Sequence, residues 1–187
     1  DDIVYFALYI LKEDRSVREK WQKRLEYIMV DEFQDINRIQ YEIVKMLALP
    51  ENNLFIVGDD DQSIYRFRGA KPEIMLGFEK DYPGARRVLL AENYRSSREI
   101  VEASLKLISR NQVRFKKELV PVHGPGRPVD VSVYENPLAE AEGTARRIRQ
   151  YAQAGFAFED MAVLFRTGNG TGLLAEKLME YNIPFSM

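Results

Sequence analysis

The residues best suited to chemistry stand at the ends of two apolar runs. In YIMVDEFQD, Ile28, Met29 and Val30 lead directly into Asp31 and Glu32. In LFIVGDDDQ, Leu54 to Gly58 lead into Asp59, Asp60, Asp61 and Gln62. Carboxylates at the end of a buried segment are costly unless water, a cation or a hydrogen-bond donor meets them. Hard oxygen ligands of this kind suit Mg²⁺, which keeps most of its waters and is usually shared with phosphates. In an apolar strand ending in Asp-Glu, the Asp is suited to hold Mg²⁺ through water. The Glu is then suited to orient and deprotonate an attacking water. A competing reading is a helix N-terminus, where the dipole favours acids. A third is a metal-dependent nuclease in which Asp31, Glu32, Asp35, Asp59, Asp60 and Asp61 supply a two-metal site. That chemistry leaves Gln34, Gln62 and the aromatic and basic stretch around Tyr65 without a task.

These acids need a scaffold that gathers strand ends. Residues 27–30, 54–58, 86–90 and 161–165 are short apolar runs that read as buried strands, and 129–134 alternates like a strand. Between them, apolar spacing predicts helices over 2–13, 16–25, 36–47, 72–80, 97–108, 138–152 and 172–181. Strands alternating with helices indicate an α/β parallel sheet, whose ligands collect at the carboxyl ends of the strands. The stretch 120–128, rich in Pro and Gly, reads as a surface loop containing the single histidine, His123. The basic residues Arg110, Arg114, Lys116 and Lys117 read as a solvated face.

Composition narrows the classes. The chain has 187 residues, 45% hydrophobic and 11% aromatic, enough for a packed core. It has no cysteine and one histidine, which removes disulfide frameworks and Cys- or His-rich metal clusters. Net charge is −2, so nucleic-acid binding must come from a local site rather than from bulk charge. No apolar run approaches the ~20 residues that cross a membrane. The absence of cysteine fits a reducing compartment and predicts a cytoplasmic protein. The chain starts without Met and is expected to be a piece of something longer.

Three long motifs, VDEFQD, VGDDDQSIYRFRGA and ENYRSS, follow one another in this order. They closely resemble motifs II, III and IV of the UvrD/Rep/PcrA-type superfamily 1 DNA helicases, and DMAVLFRTGNG further along resembles the same family. The resemblance covers essentially the whole chain. It implies a RecA-like parallel sheet of the P-loop NTPase type with flanking helices, incomplete, in two partial motor domains. Residues 1–91 would be the later part of the first and 92–187 the opening of the second. It implies an ATP-dependent helicase or translocase, usually moving 3′ to 5′ on single-stranded DNA, with roles that include DNA repair. Its cofactors would be ATP and Mg²⁺, and its partners single-stranded DNA, duplex junctions and the remaining segments of the same motor.

Residue by residue, the resemblance implies that Asp31 coordinates Mg²⁺ and that Glu32 is the general base. Gln62 would sense the γ-phosphate. Tyr94 would stack on adenine, and Arg95 would reach the γ-phosphate across the interdomain cleft. Tyr65, Phe67 and Arg68 would meet DNA, with Phe67 where the family often has Trp, and Arg166 would approach it from the second domain. Tyr65 and Phe67 offer π-faces worth ~1–3 kcal/mol per stacked base. Arg95 has the chemistry of an arginine finger.

RTGNGTG, residues 166–172, mimics a phosphate-binding loop but lacks the required spacing and has no Lys before Lys177. It reads as a flexible surface loop. No Walker A loop occurs, and the later motifs of the second motor domain are absent. Without that cradle the chain by itself is expected not to hydrolyse ATP. Unpaired sheet edges in such a piece would invite association. Besides the nuclease, the alternative is a non-catalytic DNA-binding or interaction module of helicase fold.

Overall fold

The computed structural model describes residues 2–187, the side chains of Arg68 and Asn169 excepted. The chain divides into two compact units, residues 1–129 and 130–187.

The first unit opens with helices α1 (Asp2–Glu13) and α2 (Arg15–Arg24). Asp14 separates them and caps α2, its Oδ1 accepting the amides of Ser16 and Val17 at 2.9 and 3.1 Å. Strand β1 (Ile28–Val30) follows, then α3 (Arg38–Ala48), which starts in a reciprocal cap between Asn37 and Gln40. Strand β2 (Leu54–Ile56) lies parallel to β1, pairing Ile28 with Leu54, Met29 with Phe55 and Val30 with Ile56. This parallel pair brings both acidic turns to one edge. Phe33, Ile36 and Tyr41 form the core beneath that edge, joined by Val30, Val44, Ile56, Ile74 and Phe78. The fully buried Phe33 ring meets Tyr41 and Phe78 edge-on, at 5.8 and 5.7 Å between centroids. The Tyr41 hydroxyl donates to Asp81 at 2.7 Å; burial, then this carboxylate, pushes its pKa well up.

The helix expected over 72–80 is broken at Gly77 into α4 (Pro72–Leu76) and α5 (Phe78–Asp81). A second parallel pair joins β3 (Glu92–Asn93) to β4 (Val120–Pro121), with α6 (Arg98–Ile108) between them. β4 begins inside the stretch read as a loop.

The second unit rests on α7 (Pro137–Gln153) and α8 (Thr171–Glu180). Ala141, Ala145, Leu174, Leu178 and Ile183 make its core. Tyr134 lies against Gly143 of α7, where a Cβ would come within 2.4 Å of the ring.

The expected extended parallel sheet is corrected to two short parallel pairs among the described residues. Residues 86–90, 129–134 and 161–165 form no strand. An apolar run becomes a strand only when a neighbour takes up its N–H and C=O groups, and no described segment does so. Val88, Leu90, Val131, Val133 and Leu164 are accordingly exposed. β1 and β2 are also covered on one face only, since Met29 and Phe55 point to solvent. No helix is long and apolar enough to cross a membrane, among the described residues.

Candidate functional site

The turn after β1 is tight. Asp31 is exposed and its Oδ1 accepts the amide of Glu32 at 2.8 Å. Glu32 takes a left-handed backbone, φ 49° and ψ 40°, which costs a non-glycine residue about 1–2 kcal/mol. It leads into a 3-10 turn over Phe33–Asp35 that buries Phe33 and Gln34. Backbone bonds from Val57 to Val30 and from Phe33 to Val57, both 2.9 Å, fix this turn to the end of β2.

Gln34 is the joint between the two acidic turns, and the sequence reading gave it no role. Only 1% of it is exposed. Its Nε2 donates to Glu32 Oε2 at 2.7 Å, and its Oε1 accepts the amide of Asp59 at 3.0 Å. Its backbone carbonyl accepts the Ser63 hydroxyl at 3.2 Å. An amide side chain suits this place because it carries both a donor and an acceptor. Gly58 leaves the room, since a Cβ there would fall 2.6 Å from Gln34 Oε1. The network continues from Asp59 Oδ2, which accepts Gln62 Nε2 at 2.9 Å. Glu32, Gln34, Asp59 and Gln62 thus form one hydrogen-bonded series. Beside it, Asp35 Oδ1 is buried without a hydrogen-bond partner among the described residues. Burial, then the charge of Glu32, raises the Asp35 pKa.

Carboxylate oxygens of Asp59, Asp60 and Asp61 lie within 4.8 Å of one another, a geometry open to a cation. The cations are in the chain itself. Lys117 Nζ bonds Asp59, Asp60 at 2.5 Å and Asp61 at 3.0 Å. Arg114 grips Asp61 through two bonds, at 2.7 and 2.5 Å. The expected solvated basic face is therefore corrected: Arg110 and Lys116 are exposed, but Arg114 and Lys117 are largely buried against acids. Burial alone would raise the pKa values of Asp59 and Asp61. Bonds from Lys117 and Gln62 to Asp59, and from Arg114 and Lys117 to Asp61, outweigh it and hold both below the ordinary carboxylate value. By contrast, no ion pair reaches Asp31 or Glu32 among the described residues.

The remaining candidates fall in three places. Tyr65 and Phe67 follow Gln62 on the same loop, their rings 5.9 Å apart and exposed, Phe67 by 76%. The Arg68 side chain lies outside the described residues. Tyr94 and Arg95 stand at the end of β3, lining an open hollow with Glu92 and Asn93. Asn93 Oδ1 accepts the amides of Arg95 and Ser96, at 3.0 and 2.9 Å, and Tyr94 donates its hydroxyl to Glu92 at 2.6 Å. His123 meets the Tyr94 carbonyl at 2.6 Å. Among the described residues, no hydrogen bond or ion pair joins Tyr94 or Arg95 to the acidic edge. Arg166 is exposed in the second unit, before a 3-10 turn over Gly168–Gly170 that opens α8.

The model of the UvrD/REP helicase N-terminal domain matches residues 1–83, and that of the UvrD-like helicase C-terminal domain matches 88–187. A relative named putative ATP-dependent DNA helicase YjcD, from Bacillus subtilis (strain 168), is 41% identical over 189 residues, covering 100% of this chain and 24% of that protein. The ATP-dependent DNA helicase Rep of Buchnera aphidicola subsp. Schizaphis graminum is 37% identical, with 100% of this chain and 29% of that protein covered. The ATP-dependent DNA helicase PcrA of Staphylococcus aureus (strain Mu50 / ATCC 700699) is 38% identical, with 100% and 26% covered. The chain therefore spans 24–29% of the length of these curated relatives. With one domain model over its first part and its companion over the rest, the chain belongs to the UvrD/Rep helicase family.

Proposed function

We propose that this chain is an internal stretch of a cytoplasmic ATP-dependent DNA helicase or translocase, a motor with RecA-like domains changing over near Glu92. The observation that carries the reading is the series Glu32–Gln34–Asp59–Gln62, which ties a candidate base to the loop bearing Tyr65 and Phe67. Glu32 orients and deprotonates the water that attacks the terminal phosphorus of ATP. Gln62 contacts the γ-phosphate and passes its presence along the loop to the aromatic pair, on which bases stack without sequence readout. Tyr94 stacks on adenine. Arg95, whose guanidinium has no carboxylate partner among the described residues, stabilises charge on the transferring group.

Asp31 fits Mg²⁺: it is an exposed carboxylate with no cationic partner among the described residues, at the carboxyl end of a parallel strand. Asp31 would hold the ion there, and the chemistry it would supply is neutralisation of charge on the nucleotide phosphates. Three of the six carboxylates the nuclease reading calls on, Asp59, Asp60 and Asp61, are already engaged by Lys117 and Arg114, which favours the motor reading over it. The chain alone is proposed not to turn over ATP, for want of a Walker A loop.

The test is ATPase activity of the full-length protein with and without single-stranded DNA, beside Glu32→Gln. Stimulation by DNA that Glu32→Gln abolishes supports the motor. Salt-dependent DNA binding with no nucleotide effect would make the fold a non-catalytic binding module, and DNA cleavage by metal without nucleotide would return the nuclease. Turnover by the 187-residue chain would sink the claim that the missing loop is required.

A further inference from the structure

We infer that Lys117 and Arg114 are positioning residues, an ionic clasp through which the segment 114–117 holds the Asp59–Gln62 turn, and with it Gln62, in register with Glu32. The inference rests on the nucleotide-driven reading above for its functional consequence.

Three of the four residues of the segment, Arg114, Phe115 and Lys117, are attached. Arg114 takes both oxygens of Asp61. The Phe115 amide donates to Asp60 Oδ2 at 2.8 Å, and the Phe115 ring lies under the Arg87 guanidinium at 4.5 Å. Arg87 is itself held by two bonds to Glu79, at 3.0 and 2.8 Å. Lys117 reaches all three aspartates with its side chain 9% exposed, and the Asp60 side chain is 2% exposed.

Three carboxylates this close cannot all stay ionised without cations between them. The ammonium of Lys117 answers that need from within the chain, leaving a turn whose shape depends on where Lys117 sits. Asp59 carries the dependence onward. One of its oxygens accepts Lys117, the other accepts Gln62, and its amide is bound by Gln34. A displacement of Lys117 therefore acts on Gln62 through a single shared carboxylate. The acids fall in the stretch matched by the N-terminal-domain model and the cations in that matched by the C-terminal-domain model. The clasp is thus a physical link by which the later stretch sets the geometry of the earlier one.

The experiment compares Lys117→Met, Lys117→Arg and Arg114→Lys with the parent in the full-length protein. Without nucleotide, amide hydrogen exchange at residues 60–63 is expected to quicken about tenfold in Lys117→Met, with β1 unchanged. A nonhydrolysable ATP analogue is expected to shift single-stranded DNA affinity by about fivefold in the parent and not at all in Lys117→Met, and Lys117→Arg restores the shift. Arg114→Lys, which keeps the charge but loses the two-bond grip, gives a smaller change in both and serves if Lys117→Met does not fold. Unchanged exchange in these variants overturns the clasp. Quickened exchange with the analogue's effect intact overturns its role in positioning Gln62. If the parent itself shows no nucleotide effect, the motor reading fails, and exchange alone decides the clasp.

Discussion

Two acidic turns share the carboxyl edge of one parallel strand pair and are built in opposite ways. At Asp59–Asp61 the charges are answered by Lys117, Arg114 and the Phe115 amide, which donates to the Asp60 carboxylate, and the backbone is held by Gln34 through the Asp59 amide. At Asp31–Glu32 no cation is engaged among the described residues, and the backbone of Glu32 is in the left-handed region. Acids with cations supplied by the chain maintain shape. Acids in a strained turn without a cation from the chain are the ones the proposed function assigns to an external cation and a reacting water. The sequence presents five similar carboxylates; their partners sort them into two tasks.

The largest effect that could break this contrast is chemical. Glu32→Gln is expected to lower DNA-stimulated ATP turnover about 10²–10⁴-fold while the folded protein melts as before. Retained turnover would remove Glu32 as the base. Next is a paired test of stability. Asp60→Ala leaves the buried Lys117 short of an acceptor and is expected to cost about 3 kcal/mol, near the low end for a broken buried pair because two acids remain. Asp31→Ala is expected to stay within about 0.5 kcal/mol, as an exposed site should, yet to remove activity. Denaturant melts that ranked them the other way would erase the distinction.

Smaller effects sharpen the joint between the turns. Gln34→Leu strands a carboxylate and an amide, and a loss of about 1–3 kcal/mol is expected by thermal melting. Gly58→Ala drives a methyl into Gln34 Oε1, and a similar loss of about 1–3 kcal/mol is expected. If it is tolerated without loss, the close approach at Gly58 is not required.

The smallest effect is a pH dependence. Asp59 and Asp61 have folded pKa values below the ordinary 3.8, so their contribution is present above that value and fades as pH falls through the folded ones. Burial works against the charge on Lys117, but its aspartate partners outweigh that and raise its pKa above 10.5. Its contribution is full below 10.5 and fades as pH rises through the folded value. With the intrinsic pH dependence of amide exchange divided out, protection at residues 60–63 should be greatest between about pH 4 and 10. A profile centred elsewhere would point to other groups.

What the sequence made legible was local. Strand ends carrying acids and most of the helical stripes are set by neighbours a few residues apart, and apart from the helix broken at Gly77 the helices stand within two residues of where spacing put them. What it concealed depends on distant partners. Arg114 lies 53 residues from Asp61, and Lys117 lies 58 from Asp59, so a basic cluster read alone looked solvated. Gln34 has no signal in the sequence, because a neutral amide in a loop shows its role only when both its ends are engaged. The runs at 86–90, 129–134 and 161–165 have the composition of strands, but composition supplies no partner.

The span between acids and cations also orders events during synthesis. Asp61 leaves the ribosome 53 residues ahead of Arg114, and Asp59 leaves 58 ahead of Lys117. At about 5–20 residues per second, the interval is several seconds. During it the three aspartates are hydrated, charged and mutually repelling, and the turn that bears Gln62 is held on its Gln34 side alone. The strand pair beneath is already complete, because β2 follows β1 closely. The motif therefore matures in two stages, its floor early and its rim late, and a nascent chain halted before Arg114 would carry the floor without the rim.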